Sequence, residues 1–491
     1  MDRFELRRLD YSLSDHHVDL QNAYRQFFKT HCSIETVRAA EPSGFDKNLW
    51  ERLCAMGATT MALPESCGGD GATLVDLTLV AEEIGRSLAP VPWIDHVCAV
   101  RLLGRLGALD ADTVGSGALA NGEQLAALDA RIDSPPGIRL IPTGSIADHI
   151  IVRDGSDEDG AVIRLTFSTR PAKVDNIGRL PMAWVDPAAA DTRTVVARGP
   201  DAQANYERAL DEWRLLTAAA LVGLVEETMT IAAEFAKTRY TLGVPISTLQ
   251  AISHPLANMA ITVQGGRNLV RRAAWFLDNE PDERPELAPS AFVFMAEEAA
   301  KAATMAVHIQ GGLGVSAEAA ATAYLVRARG WPLAGGDPGT TAQRIAEIVA
   351  ARESSPQSDR SQKDGFLPGQ AVRRRQRVPR GGTKLSGYPH DRRGQASRPR
   401  NGRQLRRGSA PEVGRRGLFG QGVEAPIRRR VQPDPPPHLG TGEAAGACAL
   451  GDMGDHRHGG AFGGEVRVTG AARRGATKGV QRGGSAVPWL H

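Results

Sequence analysis

Three short stretches between residues 211 and 337 carry the side chains best suited to chemistry. Asp211 and Arg214 are three apart, so a helix puts a carboxylate and a guanidinium on one face. Arg239, Thr241 and Gln250 follow, around the run Arg239-Tyr240-Thr241-Leu242-Gly243; a guanidinium, a hydroxyl and a carboxamide are donors that an anionic, polar ligand takes. His308 then precedes Gly311, Gly312 and Gly314, where the missing Cβ lets another group come close to the backbone. Taken singly, each feature has an ordinary reading. Arg239 is a solvated helix-end cation, Asp211–Arg214 a surface pair, His308 a core histidine and the glycines a helix stop. Their chemistry depends on what brings them together.

The elements that must do so are mostly helical. From Asp15 to Leu109, apolar residues recur at three- and four-residue spacing. Leu77, Val80, Ala81, Ile84 and Leu88 mark one face, with Glu82, Glu83 and Arg86 expected on the opposite, polar one. The glycine-rich run from Pro64 to Gly71 interrupts the helices as a turn. Between about Gly115 and Pro200 the period changes to short β-branched runs, Ile138–Ile141, His149–Val152 and Ala161–Leu165. Helices return at Ala202. One apolar stripe runs Leu221, Leu224, Thr228, Ile231 and Phe235; a second runs Leu256, Met259, Val263, Val270 and Ala273; a third runs Phe292, Met295, Ala299, Ala302, Met305 and Ile309. With a last helix near Thr340–Arg352, these predict a four-helix bundle. The expected fold class is mainly α with an inserted small β domain. Its parts are an N-terminal helical domain (1–113), a middle β domain (114–200), a C-terminal bundle (201–353) and a tail (354–491).

The tail differs in kind. Residues 371–430 hold seventeen Arg and one Lys against three acidic residues, a net of +15, while the whole chain carries only +3. The apparent basicity therefore belongs to the tail, and the body is acidic. Too few apolar residues follow Glu353 to offset chain entropy, so disorder is expected. Arginine could neutralise phosphate, but no aromatic residues interleave the charges and no specific nucleic-acid role follows. Arg, Gly, Pro and Ala are also what a reading-frame shift near Ser354 in a GC-rich gene yields. Cys32, Cys54, Cys67, Cys98 and Cys448 lack any C-x-x-C spacing, which argues against a disulfide framework and a zinc site. Met1-Asp2-Arg3 opens no apolar leader, and no run approaches the ~18 apolar residues of a membrane span. A cytoplasmic protein with no metal is the expectation.

In their order, these residues resemble the acyl-CoA dehydrogenase family. The resemblance covers about residues 15–353. It includes Leu63-Pro64-Glu65, Gly68-Gly69-Asp70-Gly71, Glu82-Glu83-Ile84-Gly85, Ala147-Asp148-His149-Ile150-Ile151-Val152 and the three C-terminal stretches. It implies an N-terminal helical domain, a middle β-barrel or sandwich and a C-terminal four-helix bundle. It also implies FAD held at a subunit interface, an acyl-CoA substrate and an electron-transferring flavoprotein or similar acceptor. The assembly would be a homo- or hetero-oligomer with a homologous subunit. On this basis Arg239, Thr241, Gln250, His308, Gly311, Gly312 and Gly314 would contact FAD, and Asp211 and Arg214 would line the acyl-CoA site.

Members of that family remove the acyl α-proton with a carboxylate while the flavin accepts the β-hydride. Counting from Gly314, the usual base position falls on Gly335; the other, just before the Asp-x-x-Arg arginine, is Trp213. Glycine accepts no proton, and an indole N–H only donates. Glu212 and Asp337 are the nearest carboxylates in sequence. Leu242 stands where the family has Phe, and His308 where it has Gln. Neither the Thr-Glu-Pro nor the Trp-x-Thr stretch that contacts the flavin ring is found, and Leu125–Asp129 offers no hydroxyl. Two expectations follow: flavin-dependent oxidation of an acyl-CoA to the trans-2-enoyl-CoA, alone or within a heteromer, or a catalytically silent subunit that completes the FAD and substrate sites of an active homologue.

Overall fold

The computed structural model describes residues 12–354 apart from 110–115, 132–136 and 155–159. The Arg-, Gly- and Pro-rich segment beyond it, for which composition predicts disorder, lies outside the described residues.

The N-terminal helices begin where the sequence supplies caps. Helix α1 (Asp15–His31) starts on Ser14, whose hydroxyl accepts the His17 N–H. After α2 (Ile34–Ala39), α3 (Lys47–Ala55) starts on Asp46, whose carboxylate accepts the Leu49 N–H at 3.0 Å. Helix α4 (Leu74–Ser87) has a reciprocal box between Thr73 and Asp76. Helices α5 (Trp93–Arg105) and α6 (Ser116–Ala120) complete this part. The Pro64–Gly71 turn holds one short 3-10 turn, with Gly68 and Gly71 at φ of +77° and +66°.

Among its described residues the middle part has six strands: β1 (Ala126–Leu128), β2 (Arg139–Ile141), β3 (His149–Asp154), β4 (Ala161–Thr166), β5 (Ala183–Val185) and β6 (Thr192–Arg198). Four of them form a sheet in the order β1-β3-β4-β6, with only the β1–β3 pair parallel; β2 and β5 pair antiparallel as a separate ribbon. Alternation along the strands gives each face its own partner. Ile150, Val152, Ile163 and Leu165 meet Ile141 and Val185 in a small core of their own. Ile151 and Val162 join the main core of the helices.

Helix α7 (Pro200–Thr238) runs through the centre of the chain. A hairpin of β7 (Tyr240–Thr241) and β8 (Val244–Pro245) turns the chain into α8 (Gln250–Asn279); α9 (Leu287–Gln310), α10 (Ala320–Gly330) and α11 (Pro338–Ser354) follow. Among the described helices only α7 is long and apolar enough to cross a membrane, and 72% of its apolar window is buried inside the fold. The three apolar stripes expected from the sequence lie on α7, α8 and α9. Helix α10 was invisible in the periodicity because it is covered by α7 and α9 and because Arg327, in its last turn, is itself buried in an ion pair with Glu41.

One expectation needs correcting. Glu82, Glu83 and Arg86 are not on a solvated face: Glu82 is 4% and Glu83 0% exposed. Arg86 bonds Glu83 at 2.9 Å and also pairs with Glu226 of α7, while Arg267 of α8 reaches both Glu82 and Glu226. The polar face of α4 is buried because it meets polar faces on α7 and α8, and opposite charges cancel there. The approach is close. A Cβ on Gly223 would fall 1.8 Å from the Glu82 carbonyl oxygen, and one on Gly85 1.8 Å from that of Ala220.

Candidate active site and exposed bundle edge

The up-down-up course of α7, α8 and α9 puts the end of α7, the start of α8 and the end of α9 at one end of the bundle. Arg239, Thr241, Gln250, His308, Gly311 and Gly312 all lie there, and all are exposed. The core reading of His308 therefore fails. Gly311, at φ +62°, does end α9, so the helix-stop reading holds for it. A Cβ at Gly311 or Gly312 would meet nothing within 4 Å, whereas one at Gly314 would strike the Val307 carbonyl oxygen at 2.4 Å. Gly311 and Gly312 thus leave backbone open to an outside group, while Gly314 is required by packing within the chain. Large apolar side chains are exposed among these polar groups: Tyr240 (62%), Leu242 (91%), Leu313 (58%) and Val315 (70%). These apolar side chains lie beside the exposed Arg239 guanidinium.

Asp211 and Arg214 are paired as the spacing predicts, but not at the surface. Arg214 is 2% exposed and donates from Nη1 to Asp211 Oδ1 at 2.5 Å; its Nη2 is buried with no hydrogen-bond partner. The site therefore keeps a guanidinium N–H in reserve.

The two positions at which the resemblance expects a base, 213 and 335, lie side by side. A Cβ at Gly335 would lie 2.4 Å from the Trp213 ring, so the indole fills the space a side chain at 335 would need. Trp213 is 3% exposed and also packs on Phe292, with ring centroids 5.8 Å apart. It walls a mainly apolar cavity of about 70 Å³ that Ala89, Pro142, Leu180, Trp331 and Ala334 also line. One carboxylate reaches this cavity, and sequence reasoning missed it. Asp95 accepts the Trp213 Nε1–H at 2.7 Å and the Thr143 hydroxyl at 2.5 Å. Burial raises its pKa, and the two hydrogen bonds offset part of that rise. Asp95 sits in the first turn of α5, where an acidic residue ordinarily reads as a favourable partner for the helix dipole. Only the packing of α5 against α7 discloses its other role.

Neither carboxylate named from the sequence lies on the cavity. Glu212 is fully buried on another face of α7, bonded by Arg101 at 3.1 Å and by Arg105 at 2.7 Å. Burial works to raise its pKa, but the two guanidinium groups outweigh burial and hold it at about 2. A carboxylate so stabilised is a poor proton acceptor at neutral pH. Asp337 is exposed and accepts the Gly339 N–H at 2.9 Å, at the start of α11; it serves that helix end.

The fit of a dinucleotide divides accordingly. The exposed edge offers a guanidinium, a hydroxyl, a carboxamide and bare backbone, the groups a diphosphate takes. The cavity walled by Trp213, at about 70 Å³, falls far short of the roughly 300 Å³ or more that enclose a cofactor-sized ligand; a larger one of about 590 Å³ lies between Trp50, Cys54, Leu125 and Asp148.

Two family models match the chain: the N-terminal domain of acyl-CoA dehydrogenases over residues 14–110 and their C-terminal domain over residues 204–350. An acyl-CoA dehydrogenase of Mycobacterium tuberculosis, IpdE2, is 30% identical over 61% of this chain and 86% of its own length. Among solved structures, a variant of the Tcur3481-Tcur3483 steroid ACAD superposes with a TM-score of 0.63 at 23% identity, over 70% of this chain and all of that one. The ChsE4-ChsE5 complex from Mycobacterium tuberculosis gives 0.62 at 25% identity, over 71% of this chain and all of that one.

Proposed function

The chain belongs to the acyl-CoA dehydrogenase family, and from that premise we propose that it is the base-lacking subunit of a heteromeric flavoenzyme, paired with a homologous chain that carries out the oxidation. The class of reaction is oxidoreduction at a CH–CH bond of an acyl-CoA, and the cofactor is FAD, which accepts the hydride when bound. One observation carries the silent reading: Trp213 occupies the volume above Gly335, so both positions from which a carboxylate would take the α-proton are filled by one indole.

This chain's contribution would then lie at its bundle edge. Arg239 would meet the diphosphate of a cofactor seated on the partner, Thr241 and Gln250 would add donors, and Gly311 and Gly312 would admit it to the backbone. Asp211 and Arg214 would fix the polar part of an acyl-CoA through the unused Arg214 N–H. The apolar side chains of the edge suit burial against another subunit. The steroid ACAD and the two-component complex among its structural neighbours support a bulky acyl group and an unequal assembly. An electron-transferring flavoprotein would take the electrons onward.

Full-length protein alone, supplied with FAD, a CoA ester and an artificial electron acceptor, is expected to give no turnover above background, and co-expression with a homologue that has the carboxylate is expected to give activity. Ordinary turnover by the single chain overturns the silent reading. Within the active heteromer, Arg239→Gln in this subunit is expected to weaken FAD retention by roughly 10- to 100-fold, the worth of a charge-assisted contact. Flavin absorbance per heteromer after dilution and gel filtration reads that effect, and an unchanged flavin content would remove Arg239 from the site.

A further inference from the structure

We propose that Arg105, with Arg208 beside it, forms a binding site for a small oxyanion of the phosphate type, on the face of α7 that carries Glu212. The inference does not depend on the partner reading, since every residue it uses belongs to this chain.

Three guanidinium groups gather on the buried Glu212 carboxylate, and only one of them is fully satisfied. Arg101 grips it side-on, from Nε to Oε2 at 3.1 Å and from Nη2 to Oε1 at 3.3 Å, and gives Nη1 to the Ala62 carbonyl oxygen at 2.6 Å. Arg105 reaches the same Oε1 with Nη1 alone, at 2.7 Å. That oxygen has then taken two donors, its usual complement. Arg208 stops short, with Nε 3.6 Å from Oε1, and bonds the Leu277 carbonyl oxygen through Nη2 at 3.0 Å. Arg105 is left with Nε and Nη2, and Arg208 with Nε, buried without a hydrogen-bond partner. Among the described residues no other arginine has both of those nitrogens so placed.

Charge points to the same kind of ligand. The one further carboxylate that acts on the cluster is Asp278 of α8, which accepts the Leu74 N–H at 2.6 Å and lies in the field of Arg101 and Arg208. With both acids ionised, three cations still exceed two anions, and buried donors left without an acceptor are costly. The Nε–Nη2 edge is the side of a guanidinium that takes two oxygens of one anion at once, as Arg101 does with Glu212. A halide ion meets a single point of that edge. An oxyanion meets both donors, and a tetrahedral one has a further oxygen for Arg208. The Arg105 and Arg208 side chains are 21% and 32% exposed, so an ion reaches them from the surface.

The test is phosphorus NMR of inorganic phosphate added to the full-length protein, without flavin or partner, with sodium chloride holding the ionic strength constant. Line broadening is expected to saturate in the millimolar range or below, and sulfate is expected to compete far better than chloride. Arg105→Lys keeps the charge beside Glu212 and removes the two-donor edge, so phosphate is expected to bind roughly tenfold more weakly. Arg239→Gln, at the bundle edge, is expected to leave the affinity unchanged. No saturable broadening overturns the proposal, as does chloride competing as well as sulfate, the mark of an adventitious ion only. Undiminished binding by a folded Arg105→Lys protein also overturns it, and so does loss of binding in Arg239→Gln, which moves the phosphate to the bundle edge. Should Arg105→Lys give no soluble protein, Arg208→Lys decides: weaker binding supports the site and unchanged binding overturns it. Phenyl phosphate then separates sources. Binding comparable to that of inorganic phosphate assigns the site to a phosphate ester, and much weaker binding assigns it to the free ion. Turnover by the single chain is measured separately, so either result can fail without the other.

Discussion

A single methyl group at Gly223 destabilises the fold by about 3 kcal/mol or more. The new Cβ would sit 1.8 Å from the Glu82 carbonyl oxygen and 2.9 Å from the Arg86 N. Both are backbone atoms of α4, so no side-chain rotation relieves the contact. Gly85→Ala meets the same obstacle from the other side, against the carbonyl oxygen and Cα of Ala220. Either substitution must push α4 from α7, and that lengthens the Arg86–Glu226 and Arg267–Glu82 ion pairs that tie α4 to its neighbours. Low soluble yield or a fall in Tm is the expected readout. Gly265→Ala is the control: its Cβ meets nothing within 4 Å in the middle of α8, so helix propensity alone predicts a gain of up to about 1 kcal/mol. If Gly223→Ala is as stable as Gly265→Ala, the crossing is not as tight as described.

Glu212→Gln is expected to cost about 3 kcal/mol, a Tm drop of roughly 5–10 °C. The substitution keeps the shape and removes the charge, leaving Arg101 and Arg105 buried around a neutral amide. The pH dependence has a definite sign. Glu212 has its folded pKa depressed to about 2, so its stabilisation is fully present above the usual glutamate value near 4.3 and is lost as pH falls toward 2. Thermal melts of the unmodified protein and of Glu212→Gln should therefore differ by a constant amount from pH 5 to 7 and converge below about pH 4. Parallel curves down to pH 3 would contradict this. In the heteromer, Glu212→Gln should lower activity only as far as it lowers the amount of folded protein. A loss of turnover at full stability would restore Glu212 as a proton acceptor.

Both cases show where the sequence is legible. The α7, α8 and α9 stripes could be read from spacing because apolar residues recur there at three- and four-residue intervals, although α7 is buried on every side from 212 to 225. The Glu82, Glu83 and Arg86 face could not, because a buried ion network and a solvated face have the same composition. Gly85 and Gly223, small where a helix interior prefers alanine, mark the close crossing once the structure is known. That Trp213 and Gly335 stand where the resemblance expects a base could be read one residue at a time. That the first physically fills the second could not, since 122 residues separate them. Asp95 was hidden by position: at the front of a helix a carboxylate needs no further explanation. Strands β1, β5 and β6 were missed because two are only three residues long, too short for a period to register, and the third is mostly exposed.

The loop ahead of β5 is pinned to the bundle backbone against backbone. A Cβ on Gly330 would fall 2.2 Å from the Gly178 N, and Trp331 Nε1 donates to the Gly178 carbonyl oxygen at 3.2 Å. A fastening of that kind has no slack for a hinge. Any swing of the β layer away from the bundle would first have to break this contact, so a partner that covers the exposed bundle edge meets a β layer already fixed in place.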